Sequence, residues 1–82
     1  MMDEGEDSVY LQSFGRRLSA LRVQRGLSLE QLAEASGLIP SVVRGAERGQ
    51  RDLPVIVLAD LARALGIEPA DLMPEQHSSG PH

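Results

Sequence analysis

Three arginines at helical spacing are the residues of this sequence best suited to specific chemistry. Arg44, Arg48 and Arg51 fall within eight residues, and Gln50 lies between the last two. Each guanidinium is a planar group that can donate two parallel hydrogen bonds to a phosphate or to the edge of a guanine base. The same spacing is typical of a solvated helix face, and charge alone favours that interpretation. The elements around the arginines must therefore decide between the two.

Side chains suited to catalysis or metal binding are sparse. The sequence has no cysteine, which excludes disulfides, thiolate zinc sites and cysteine nucleophiles. Its two histidines, His77 and His82, are near the C-terminus and pair with no nucleophile, and there is no glycine-rich phosphate loop. We therefore expect no enzyme activity, no metal site and no cofactor.

The charge is distributed unevenly along the 82 residues. The net charge is −4, but four acids lie in the first seven residues, and residues 8–74 hold seven acids against eight arginines, a net +1. No apolar run reaches the length of a membrane span, and an acidic N-terminus is unlike a signal peptide. We therefore expect a cytoplasmic protein with no membrane contact. We expect 82 residues to form one domain, with no separate small-molecule domain.

Apolar periodicity predicts an all-α domain over residues 9–73. An acidic tail over residues 1–8 and a polar tail over residues 74–82 are predicted to be disordered. The domain contains five predicted helices, which run from about Val9 to Arg25, Ser28 to Ser36, Pro40 to Arg48, Pro54 to Leu65, and Glu68 to Met73.

The second and third helices have the spacing of a helix-turn-helix. Ser28 and Gln31 form an S-x-x-Q capping box at the start of the second helix, and Gly37 ends it. Pro40 suits the first position of the third helix, although Ile39 at the cap has no side-chain acceptor. Spacing alone is a moderate signal, because an αα-corner in any small bundle has the same form.

The residues from Phe14 to Met73 add a more specific signal. This stretch resembles the Xre-type family, the Cro and phage-repressor-like helix-turn-helix proteins. The matching segments are LRVQRGLSLEQLAEASGL, VVRGAERGQRD and LADLARALGIEPADLM. The resemblance is strongest to small actinobacterial members. It implies a five-helix lambda-repressor-like domain that regulates transcription by binding double-stranded DNA with its third helix.

The family's DNA contacts can be carried over position by position. The base-contacting positions are Pro40, Ser41, Val42, Arg44 and Gly45. The phosphate-contacting positions are Ser28, Leu29, Arg48, Gln50 and Arg51. Among the base-contacting residues, only Arg44 can bind guanine with two hydrogen bonds. The chain departs from the family at Leu29, where many members have Gln, and at Ile39 and Pro40, which replace polar residues.

The resemblance also implies two structural features. Glu47 matches a glutamate that pairs with an arginine of the first helix, here Arg22. The family forms homodimers on palindromic operators, and the apolar residues at the C-terminal end of the domain are the expected contact surface. These residues are Leu65, Ile67, Leu72 and Met73. A second function on the same fold stays open, which is a protein-interaction module that binds another regulator or a toxin partner.

Overall fold

The computed structural model describes the backbone of residues 4–73 and the side chains from Val9 onward. Within those residues it contains five helices and no strand, so the predicted all-α fold is confirmed. The helices are α1 (Glu4–Gln24), α2 (Leu29–Ser36), α3 (Pro40–Glu47), α4 (Val55–Leu65) and α5 (Pro69–Leu72).

The start of α1 differs from the prediction. The helix begins at Glu4, five residues before the expected start at Val9, so residues 4–8 are helical and not part of an unstructured tail. The remaining predicted tail residues, 1–3 and 74–82, lie outside the described residues.

Local signals set the boundaries of α2 and α3. The Ser28 Oγ accepts from the Gln31 amide at 3.0 Å, and the Gln31 Oε1 accepts from the Ser28 amide at 2.7 Å, as the capping box predicts. Gly37 has φ 73°, a left-handed conformation that favours glycine and turns the chain towards α3. As expected, α3 begins at Pro40 and Ile39 provides no side-chain cap.

The core is aliphatic apart from one phenylalanine. Its buried apolar residues are Phe14, Leu18, Leu32, Ala33, Val43, Ala46, Leu61, Ala62, Leu65 and Leu72. In the chain, α3 packs against α1 and α2, while α4 packs against α2 and α5. Leu65 and Leu72 are only 2% and 0% exposed, so they belong to this core.

A glycine allows α1 to approach the end of α3 closely. A Cβ at Gly15 would lie 2.5 Å from the carbonyl oxygen of Glu47 and 2.6 Å from that of Ala46. No real side chain tolerates these distances without movement of one helix. The backbones of α1 and α3 are therefore in direct contact, which fixes the C-terminal end of α3 against the rest of the domain.

Two contacts attach α5 to α1. The Arg17 Nε donates to the carbonyl oxygen of Asp71 at 2.7 Å. The Tyr10 hydroxyl lies 3.9 Å from the Met73 sulfur, at the distance of a weak hydrogen bond. These contacts hold the short α5 against α1, with the Leu72 side chain of α5 buried in the core.

Candidate nucleic-acid interface

The outer side of α3 carries the residues that were expected to contact bases. Pro40, Ser41 and Arg44 are exposed, and so is Arg48 directly after the helix. Val43 and Ala46, on the opposite side of α3, are fully buried. Because the inner side is held in the core, α3 presents a fixed outer surface. We define this outer ridge as Ser41, Arg44 and Arg48.

Val42 and Gly45 occupy less exposed positions at the margin of α3. Both are half-buried. The amide of Gln50 donates to the carbonyl oxygen of Gly45 at 2.9 Å, so the chain folds back along α3 directly after the helix ends. As a result, the side chain of Arg51 lies beside Gly45. The sequence pattern contained no signal for this contact, because it depends on the path of the loop.

The charge of this surface is positive. Arg44, Arg48 and Arg51 are all exposed, as is Gln50. The one carboxylate within α3, that of Glu47, binds Arg22 of α1 and is 10% exposed. The negative charge of α3 is therefore directed towards α1, while its arginines remain available to an anionic partner.

Arg22 and Glu47 form the ion pair that the resemblance implied. The Arg22 Nε donates to Glu47 Oε2 at 2.6 Å, and its Nη2 donates to Oε1 at 3.1 Å. A third donor, Nη1, binds the carbonyl oxygen of Leu27 at 2.9 Å. The hydrogen bond to Glu47 raises the pKa of Arg22 above its ordinary value, against the opposing effect of desolvation. The pair thus links α1, the loop before α2, and the end of α3.

The N-terminus of α2 lies before the turn that leads to α3. Ser28 is exposed and Leu29 is half-buried against the core. The capping box satisfies the amide of Gln31, whereas the first amides of a helix have no acceptor within the helix itself. Leu29 can therefore bind a phosphate only through its backbone amide, since its side chain packs inward.

The structure corrects the predicted dimer surface. Leu65 and Leu72 are buried within the core and cannot contact a second chain, while Ile67 and Met73 are half-buried. The sequence shows that these residues are apolar, but it does not show which neighbours cover them. An apolar groove of about 310 Å³ lies instead between α4 and α5. It is lined by Val55, Leu58, Ala59, Pro69, Ala70 and Met73.

The rim of this groove is unusually apolar for a solvated surface. Val55 is 80% exposed and its neighbour Ile56 is 73% exposed. Contiguous exposed apolar groups are typical of a contact surface. None of the helices in the described part of the chain is long and apolar enough to cross a bilayer.

Comparison with known proteins places the chain in a family. A helix-turn-helix family model matches residues 18–72. The chain is 36% identical over 59 residues to an uncharacterized HTH-type transcriptional regulator, y4dJ of Sinorhizobium fredii, covering 72% of this chain and 77% of that protein. The chain therefore belongs to this helix-turn-helix family.

Solved structures agree with this assignment. The restriction-modification controller protein C.AhdI from Aeromonas hydrophila has a TM-score of 0.76 and 51% identity, with 77% of this chain and 96% of that chain covered. The DNA-binding domain of BldD from S. venezulae has a TM-score of 0.72 and 38% identity, with 80% and 99% covered. Both likenesses span nearly the whole of the related chain.

Proposed function

We propose that this protein is a sequence-specific DNA-binding transcriptional regulator that places α3 in the major groove. The observation that carries the proposal is the outer ridge of α3, where Ser41, Arg44 and Arg48 are exposed while the opposite side is fixed in the core. Family membership supports it, since the similar proteins include a transcriptional regulator and a DNA-binding domain. We further propose a cytoplasmic location. We also propose a closer kinship with actinobacterial members of the family, which a phylogeny of the family tests.

Within this proposal, α3 supplies the base contacts. Arg44 donates to guanine, and Ser41 and Pro40 approach neighbouring base edges or a thymine methyl group. Val42 and Gly45 are half-buried, so they have smaller roles. Specificity also depends on DNA shape, because only Ser41 and Arg44 among the base-contacting positions have polar side chains.

Phosphate contacts are proposed on both sides of α3, at the edges of the DNA major groove. Arg48 and Gln50 follow the helix and are exposed. On the other side, Ser28 and the backbone amide of Leu29 lie at the N-terminus of α2, where a helix favours anions. Such contacts orient the protein on the duplex and carry no sequence information.

We also propose that the protein binds as a homodimer through the groove between α4 and α5. One recognition helix contacts only a few base pairs, whereas two copies add contacts and a fixed spacing. Val55, 80% exposed, is the most exposed residue that lines this groove, and Met73, directly after α5, contributes from the other side. Two copies of α3 would then lie roughly 34 Å apart on an inverted repeat.

Selection from a random DNA library tests the central proposal. The purified protein is expected to enrich an inverted repeat, and fluorescence anisotropy should then give a much lower Kd for the selected site than for a scrambled duplex. The affinity should fall steeply with salt, because arginines displace counterions from the phosphates. A library that shows no enrichment, together with equal affinity for all duplexes, would contradict the proposal.

The dimer is tested with a pair of matched variants. Val55→Glu adds a charge to an exposed residue that lines the groove, whereas Val23→Glu adds one to a valine of α1 that is 64% exposed. Only Val55→Glu should give monomers in sedimentation and reduce affinity for the full repeat to that for a half-site. Wild-type protein that sediments as a monomer and binds the half-site as tightly as the repeat would contradict the dimer.

A protein-interaction module is the second candidate function. The exposed Val55 and Ile56 beside the groove favour it, because they also suit an apolar face of a different protein. This function requires the groove and not the arginines. It becomes the better explanation if the random library yields no preferred sequence.

A further inference from the structure

We propose that Arg51 is a second base-contacting residue, positioned by the missing side chain at Gly45. The proposal rests on the proposed function and changes the role expected for both residues. The resemblance assigned Gly45 to base contact and Arg51 to phosphate contact. In the structure Gly45 is the surface on which Arg51 lies.

The loop after α3 brings Arg51 to this position. The hydrogen bond from the Gln50 amide to the Gly45 carbonyl oxygen, at 2.9 Å, turns the chain back along the helix. A Cβ built on Gly45 would lie 3.6 Å from the Cβ of Arg51, 3.8 Å from its Cδ and 3.4 Å from its Nε. These are van der Waals distances, so the stem of Arg51 extends across α3 at the one position in the helix that has no side chain.

Helical geometry defines the side of α3 on which Arg51 lies. At roughly 100° per residue, Ser41 and Arg48 share one direction, Arg44 lies about 50° to one side, and Gly45 lies about 50° to the other. Arg51 therefore flanks the outer ridge opposite Arg44. Arg51 thus adds a long donor beside the outer ridge, where the sequence pattern predicted Arg44 as the only residue able to bind guanine with two hydrogen bonds.

This position suits a base contact better than a phosphate contact. Phosphates line the edges of the major groove, and residues that bind them extend away from the recognition helix. An arginine that lies along the recognition helix enters the groove with it, where two of its donors match guanine O6 and N7. Arg44 and Arg51 would then specify two different base pairs in each half-site.

The first test compares Arg51 variants on the selected site and on its single-base variants. Arg51→Ala should weaken the selected site about 5- to 150-fold, the range for one bidentate base contact, and remove discrimination mainly at one base pair per half-site. Arg51→Lys keeps the charge and should retain affinity for scrambled DNA while losing the same discrimination. Arg48→Ala is the matched control and should weaken all duplexes nearly equally.

The second test changes Gly45 while Arg51 keeps its charge. Gly45→Ala adds a methyl group at ordinary contact distance and should leave binding nearly unchanged. Gly45→Leu fills the space that Arg51 occupies, so it should reproduce the loss seen in Arg51→Ala and cause little further loss in an Arg51→Ala background. Thermal unfolding establishes that each variant is folded, and the Arg51 comparison decides the matter if Gly45→Leu is not.

Three results would overturn this inference. They are uniform weakening of all duplexes by Arg51→Ala, full discrimination by Arg51→Lys, and an undiminished cost of Gly45→Leu when Arg51 is absent. If Arg44→Ala still alters discrimination at its own base pair, the proposed function stands and only this inference fails. If the wild type distinguishes no sequence, both fail together.

Discussion

Removing either partner of the Arg22–Glu47 pair should strongly destabilise the fold. In Arg22→Ala, the Glu47 carboxylate, which is 10% exposed in the intact pair, loses donors at 2.6 and 3.1 Å from its two oxygens. In Glu47→Ala, Arg22 keeps its hydrogen bond to the Leu27 carbonyl oxygen and is more exposed, at 17%. We therefore expect Arg22→Ala to be the more damaging substitution.

The magnitude follows from the partial burial. Breaking a fully buried ion pair costs roughly 3–5 kcal/mol, whereas exposed pairs contribute about 0–1 kcal/mol. With 10% and 17% of the side chains exposed, Arg22→Ala should cost about 3 kcal/mol and Glu47→Ala about 2 kcal/mol. In a domain of this size, 1 kcal/mol lowers Tm by roughly 4–8 °C, so Arg22→Ala should melt some 12–24 °C lower.

Urea and thermal unfolding of a double-mutant cycle provide the assay. The double mutant should cost less than the sum of the two single mutants, by about 1.5–3 kcal/mol, since each single mutant leaves a charge without its partner. Asp60→Ala and Arg63→Ala are the matched control. This ion pair lies on α4 with side chains 34% and 71% exposed, so its coupling should stay under about 1 kcal/mol. Additive costs at Arg22 and Glu47 would refute the reasoning.

Three further predictions follow from other contacts. Ser28→Ala removes the capping box of α2 and should cost about 1 kcal/mol in urea unfolding, whereas an unchanged midpoint would mean that the cap contributes nothing. Arg48→Ala should reduce the slope of log K against log salt by about one per half-site at every sequence, and a sequence-dependent loss would assign it to base contact. Burial, and then the nearby Asp52 carboxylate, raise the pKa of Tyr10, the single tyrosine. The resulting stability is present below a pH of about 10 and is lost as the pH rises through the folded pKa, so phenolate absorbance should titrate at higher pH in the native protein than in urea.

Features that depend on neighbours in sequence were predictable. The capping box at Ser28, the left-handed Gly37 and the proline start of α3 each act within one helical turn. Apolar spacing likewise identified the inner face of α4, since Leu61 and Leu65 lie one turn apart. The pairing of Arg22 with Glu47 came from family resemblance, because nothing in the local sequence relates two residues on different helices.

Features that depend on packing between distant segments were not predictable. Leu65 and Leu72 are large apolar residues of the kind found at contact surfaces. Only the arrangement of α4 and α5 shows that both are buried within one chain. The close approach at Gly15 and the position of Arg51 over Gly45 also require the path of the backbone in three dimensions. A pattern of residue types contains no information about that path.

The most direct test of the central claim is the affinity of Arg44→Ala for the selected DNA site and for its single-base variants. Arg44 is the exposed arginine within α3 itself, and its loss removes one bidentate donor without touching the core. We expect binding to weaken by about 1–3 kcal/mol and discrimination to be lost mainly at one base pair per half-site. Affinity that is unchanged, or that falls equally for every duplex, would contradict the account of α3 as the helix that contacts the bases.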